Sequence, residues 1–146
     1  MAITALSQPD SCQLEVKGLV LKKKGDKHLN LKDVPIKINE EGKGSRIIRS
    51  DTMWRFNFSL DLDSKFEIVF GDTNLGYVQK IVFFDTYGVP HDSRSGGDFN
   101  YVFDIDLFEN IPYGDTQTLK KPVAYIVYDK ENDHFSHTKD YTKREK

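Results

Sequence analysis

The chain has 146 residues, of which 38% are hydrophobic, enough to bury the core of one domain without disulfides or a structural metal. Its 21 basic and 23 acidic residues give a formal net charge of -2, which excludes the global positive field that gathers nucleic acid or an anionic membrane. The single cysteine, Cys12, excludes an internal disulfide framework and reads as a plain free thiol, and no run approaches the roughly 18 to 20 apolar residues of a membrane-spanning helix.

The opening MAITALSQ fits either the tail of a secretory signal or a disordered N-terminus, so residues 1–12 are set apart from the domain. From Leu14, the alternation of Leu14, Val16, Gly18 and Val20 with Glu15, Lys17 and Leu19 predicts a strand, with Gly18 at a bulge or a close backbone approach. The run Lys22 to Lys27 reads as a solvated turn rather than a phosphate site. Val34, Ile36 and Ile38 predict a second strand, which Pro35 places at an edge or at a strand start. A turn over Glu40 to Gly44 leads to a short strand at Arg46 to Arg49; the Gly42-x-Gly44 pair lacks the third glycine and the helix of a dinucleotide site.

Met53 to Leu62 holds the clearest alternation. Trp54, Phe56, Phe58, Leu60 and Leu62 share one face, and such a strand is expected to be central. Lys65 to Phe70 repeats the scheme with Phe66, Ile68 and Phe70 inward. The turn from Gly71 to Gly76 offers Asp72 and Asn74, too few oxygen ligands for a calcium loop. GYVQKIVFFDT, Gly76 to Thr86, is then a strand with Val78, Lys80, Val82 and Phe84 on one face and Tyr77, Gln79, Ile81, Phe83 and Asp85 on the other. Its second half is apolar on both sides. Val89 to Asp98 is a long loop, Tyr101 to Asn110 a strand with Tyr101, Phe103, Ile105 and Leu107 inward, and Val123 to Tyr128 a last apolar run. Residues 13–128 form the predicted domain, and the charged stretch 129–146 is expected to be loosely held.

About seven short strands with hairpin-type connections predict an all-β, antiparallel two-sheet sandwich. Beyond that pattern, the phrases VKGLVL (Val16 to Leu21), VPIKI (Val34 to Ile38), IIRSD (Ile47 to Asp51) and GYVQK (Gly76 to Lys80) occur in an order that resembles a known family. It is that of the transthyretin-like (prealbumin-like), or carboxypeptidase regulatory-like, β-sandwich modules of Bacteroidetes envelope proteins. FDT (Phe84 to Thr86), Val89-Pro90, Gly96-Gly97, FDIDLFE (Phe103 to Glu109), KPVAYIVYD (Lys121 to Asp129) and KDYT (Lys139 to Thr142) are similar to one variety of that group. Trp54 stands where the usual Asp-x-x-Gly-x-Phe phrase has glycine. The resemblance implies an Ig-like or transthyretin-like fold, a periplasmic or outer-membrane-associated location as against a cytoplasmic one, and an accessory binding or scaffold role. It also implies that the Phe84 row is inward, which leaves Tyr77, Ile81 and Phe83 to be covered by the strand from Val123 or by a partner.

The candidate partner-binding residues are accordingly Tyr77, Ile81 and Phe83, joined by the paired carboxylates Asp104 and Asp106, and the expected partner is an envelope protein or a glycan. No catalytic, cofactor or metal site is predicted. The rival reading is a small hydrolase or metal-dependent enzyme using Asp104 and Asp106, with His134-x-x-His137 and His91 and Asp133 as helpers. Hydroxyisourate hydrolase, built on a related scaffold, ends in a YRGS-type motif, whereas this chain ends in TKREK.

Overall fold

The computed structural model describes residues 12–24, 27–30, 33–53, 55–71, 79–107 and 123–138. Where apolar and polar residues alternate, strands form. In chain order they are β1 (Gln13–Lys24), β2 (Lys27–Asn30), β3 (Pro35–Glu40), β4 (Gly44–Arg49), β5 (Arg55–Asp61), β6 (Lys65–Phe70), β7 (Lys80–Asp85), β8 (Phe99–Val102), β9 (Ile105–Leu107), β10 (Ala124–Asp129) and β11 (His134–Thr138), with one short helix, α1 (His91–Arg94), between β7 and β8.

Two sheets face each other. The larger has the order β11-β10-β7-β6-β3-β4. The smaller is built on β1, with β5 and then β2 along one side and β8 and then β9 along the other. Between them lie the rows read from the sequence. Leu14, Val16 and Val20 from β1, Phe56, Phe58 and Leu60 from β5, Ile36 and Ile38 from β3, Phe66, Ile68 and Phe70 from β6, and Val82 and Phe84 from β7 are all buried. Phe56 meets Phe70 edge-on at 5.2 Å and Phe58 meets Phe84 at 6.4 Å, so the two sheets interlock through aromatic rings.

Several expectations are corrected. The sheets are mixed rather than antiparallel, because β8 and β9 run parallel to β1 and β10 runs parallel to β7. There are more strands than the seven expected, and β5 lies at the margin of its sheet although its inward side chains fill the middle of the core. Pro35 does open its strand, but β3 is an interior strand. The stretch from Asp129 is not loose over residues 129–138. It turns through Asp133, whose φ is 53°, into β11, and Phe135 is buried. Trp54, Tyr77 and the segments 1–11 and 139–146 lie outside the described residues.

The strand expected at 101–110 is two strands, for a reason visible in Gly18. A Cβ at that position would stand 1.6 Å from the Phe103 carbonyl oxygen, so the chain between β8 and β9 presses directly on the β1 backbone. The Phe103 N–H donates to Lys17 O at 3.0 Å, and the Leu19 N–H finds the Asp104 carboxylate at 3.1 Å in place of a backbone carbonyl. Gly18 is thus the close approach that its position in an apolar alternation foreshadows.

Candidate functional site

Among the predicted residues, Asp104 and Asp106 do share a surface. They line an open cleft of about 240 Å³ together with Lys80, Tyr101, Phe103 and His137. The cleft lies between the β9 end of the smaller sheet and the β7 and β10 strands of the larger. Asp104 is occupied, since it completes the ladder at Leu19. Burial pushes the Tyr101 hydroxyl above its ordinary range, so the ring is a neutral wall.

The histidine pair of the rival reading does not assemble. His134 and His137 are both on β11, three positions apart, and an odd separation on a strand sends side chains to opposite faces. His91 is on α1, and Asp133 accepts from the Tyr128 hydroxyl, which holds that tyrosine's pKa up. Among the described residues no three His, Cys, Asp or Glu side chains gather as a metal would require.

Ile81 and Phe83 project from the outer face of the larger sheet. Ile81 is only 8% exposed, and the Phe83 ring lies 5.1 Å from Tyr125 of β10. The strand beginning near Val123 does reach this row, but it arrives edge to edge, with the Val123 N–H donating to Ile81 O at 2.8 Å, rather than lying across it. These positions offer little open surface.

The loop from Val89 to Asp98 is locked. Arg94 is 8% exposed and makes a two-pronged contact with Asp63, each prong 2.9 Å, while also donating to Val89 O. Asp63 sits in the β5–β6 turn with φ 61°. Nearby, the buried Thr86 hydroxyl donates to Asp61 O at 2.7 Å and accepts from the Ser64 N–H at 3.0 Å. Cys12 donates to Gly97 O at 3.0 Å, and burial, with Asp98 adding to it, pushes its thiol up.

The margins of the two sheets are what sequence reading missed. On the β8/β11 side the sandwich is sealed by Phe99, Tyr128 and Phe135, with ring centroids 5.6 to 6.0 Å apart. The β4/β5 side is different. Antiparallel pairing alternates bonded and non-bonded residues, and the Ser50 N–H bond to Val34 O sets the phase for β4. Gly44, Arg46 and Ile48 then bond to β3, and the N–H and C=O groups of Ser45, Ile47 and Arg49 point outward.

On β5 the same logic turns Arg55, Asn57, Ser59 and Asp61 outward, but side chains and turns cover that edge at Arg55, Ser59 and Asp61. Arg55 O accepts from the Asp51 N–H and its own N–H goes to the Asp51 carboxylate, both at 2.9 Å. Ser59 O is taken by Arg46 Nη2 at 2.6 Å, and Asp61 O by Thr86. No such cover lies on β4 among the described residues. Its Ile47 is 61% exposed on the outer face, and an open groove of about 350 Å³ runs beside it between the sheets. The pair of isoleucines between Arg46 and Arg49 was the available signal, since one of two adjacent strand residues must face out.

No family model matches the chain, and no curated protein matches it in sequence. Among solved structures it is similar to catechol 1,2-dioxygenase from Acinetobacter sp. ADP1, inhibited by bound mercury. The TM-score is 0.50 at 11% identity, over 80% of this chain and 59% of that one. At that identity the likeness concerns the fold alone. This chain is an all-β sandwich.

Proposed function

We propose that the chain is a non-catalytic binding or scaffold module of the cell envelope, built on an Ig-like or transthyretin-like sandwich of the Bacteroidetes kind, and that its partner is a protein. The single observation that supports this is the outer edge of β4, uncovered among the described residues, where a six-residue strand carries outward backbone groups and an exposed Ile47. Sheets elsewhere in proteins blunt such edges, as β5 does here, because an open edge pairs with another chain. An edge kept open beside a groove is suited to a polypeptide rather than to a sugar, since backbone N–H and C=O groups at strand spacing match another strand. The envelope location rests on the sequence resemblance.

The test is binding by the purified full chain, immobilised and offered a random-peptide display library in parallel with a glycan array. Saturable retention of polypeptide segments is the expected result. Retention of glycans alone, or turnover of simple ester and amide substrates, would overturn the proposal.

A further inference from the structure

Resting on that reading, we infer that the occupant of the β4 edge is an extended, acid-bearing polypeptide segment that adds as a seventh strand to the larger sheet, with its inward side chains entering the groove between β4 and β5. The backbone supplies the first part of the match. Ser45, Ile47 and Arg49 present their N–H and C=O groups at the two-residue spacing of a strand ladder. An added strand pairs with those three residues, and the residues opposite Arg46 and Gly44 point inward.

The groove supplies the second part. Its floor includes Ile38 and Phe66, and its rim carries Glu40, Lys43, Arg46 and Asp61. The carboxylates there have partners. Glu40 accepts from the Ser64 hydroxyl at 2.9 Å and pairs with Lys43 at 3.4 Å, and Asp61 accepts from Gln13 Nε2 at 2.7 Å. Arg46, in contrast, donates to a neutral carbonyl, Ser59 O. A carboxylate from the incoming strand, opposite Arg46, gives that guanidinium an ion-pair partner in addition to the carbonyl.

The strand β4 carries Arg46 and Arg49 and no acidic residue, and Lys37 lies beside Ile47 on the outer face through the β3 register. A basic residue opposite Arg46 is repelled by it. A second copy of the chain, paired antiparallel around Ile47, sets Arg46 opposite Ile48 and Arg49 opposite Ser45, and brings the two Arg46 side chains diagonally together on the inward face. Arg46 therefore discriminates: its repulsion of a second Arg46 opposes self-pairing while it admits an acid-bearing segment. On the outer face, the residue opposite Ile47 is apolar and covers that side chain. The expected occupant alternates apolar residues outward with acidic residues inward.

The experiment is a display library of random segments of about ten residues, long enough to span an edge strand, selected on the full chain and rescreened on Ile47→Pro. The Ile47 N–H points outward and makes no bond to β3, so proline there removes a donor offered to the partner while leaving the internal ladder. Selected segments should be proline-free, alternating and acid-rich, and should bind Ile47→Pro about tenfold or more weakly. Arg46→Glu should shift the selection toward lysine-bearing segments. Circular dichroism and thermal melting establish that both variants fold; should Ile47→Pro fail to fold, the Arg46→Glu shift alone decides. Segments that bind Ile47→Pro as well as the parent overturn strand addition but keep the protein-binding reading. Basic segments, or concentration-dependent self-association abolished by Ile47→Pro, overturn the acidic occupant. An empty selection overturns both readings.

Discussion

Gly18, Asp104 and Arg94 show how single residues decide this structure. At Gly18 even a methyl group collides with the Phe103 carbonyl, so Gly18→Ala should cost about 3 kcal/mol or more in urea denaturation, because the junction of β8 and β9 must move. Asp104 is milder. Its contact with the Leu19 N–H is exposed, and Asp104→Ala should cost about 1 kcal/mol or less. Asp51 gives a pH dependence. Its carboxylate is held below the ordinary 3.8 chiefly by the Arg55 backbone N–H. A lowered folded value means stability that is complete above 3.8 and lost as pH falls through the lower folded value, and the acid limb of a denaturation-midpoint profile should flatten in Asp51→Asn. The sequence pointed to Gly18 because glycine interrupts an apolar alternation. It was silent on Arg94, because nothing local marks an arginine in a polar loop as the one that will be buried on Asp63.

At the scale of elements, facing was legible and pairing was not. Side-chain alternation has a period of two, so Phe56, Phe58 and Leu60 read as inward from the sequence alone and are buried in the structure. Phe58→Ala should cost roughly 3 to 5 kcal/mol, and an unchanged urea midpoint would contradict the packing of Phe58 against Phe56 and Phe84. Which strand lies beside which depends on long-range contacts that alternation does not encode. The parallel placement of β10 on β7 and the packing of Phe135 of β11 against Phe99 and Tyr128 were therefore invisible, and the charge of the segment after Asp129 read as looseness. The Arg94 anchor makes a distinct prediction for an element. Arg94→Met should speed hydrogen exchange across the described stretch 87–98 while leaving β6 and β3 protected, since the ion pair ties the loop to one turn and not to the core.

The whole molecule is asymmetric about its core. Aromatic rings close the β8/β11 margin, while on the opposite margin β5 is partly covered by Asp51, Arg46 and Thr86 and β4 is uncovered among the described residues. Asp104 and Asp106, the carboxylates that the sequence singled out, do reach one cleft, but Asp104 is committed to the β1 ladder. Ile81 and Phe83 are taken up by the arrival of β10. The surface best suited to a partner is therefore carried by Ile47 and its neighbours, residues whose apolar surplus was small enough to pass as a short strand. Its importance comes from the topology, which alone determines that β4 is an end strand among the described residues. The most direct measurement is residue-resolved hydrogen exchange of the free chain and of the chain bound to a selected acid-rich segment. In the free chain the Ser45, Ile47 and Arg49 amides should exchange fast and those of Arg46 and Ile48 slowly, and binding should slow the first set. Unchanged exchange at those three amides, with protection appearing on β5 or around Asp104 and Asp106 instead, would contradict strand addition at β4.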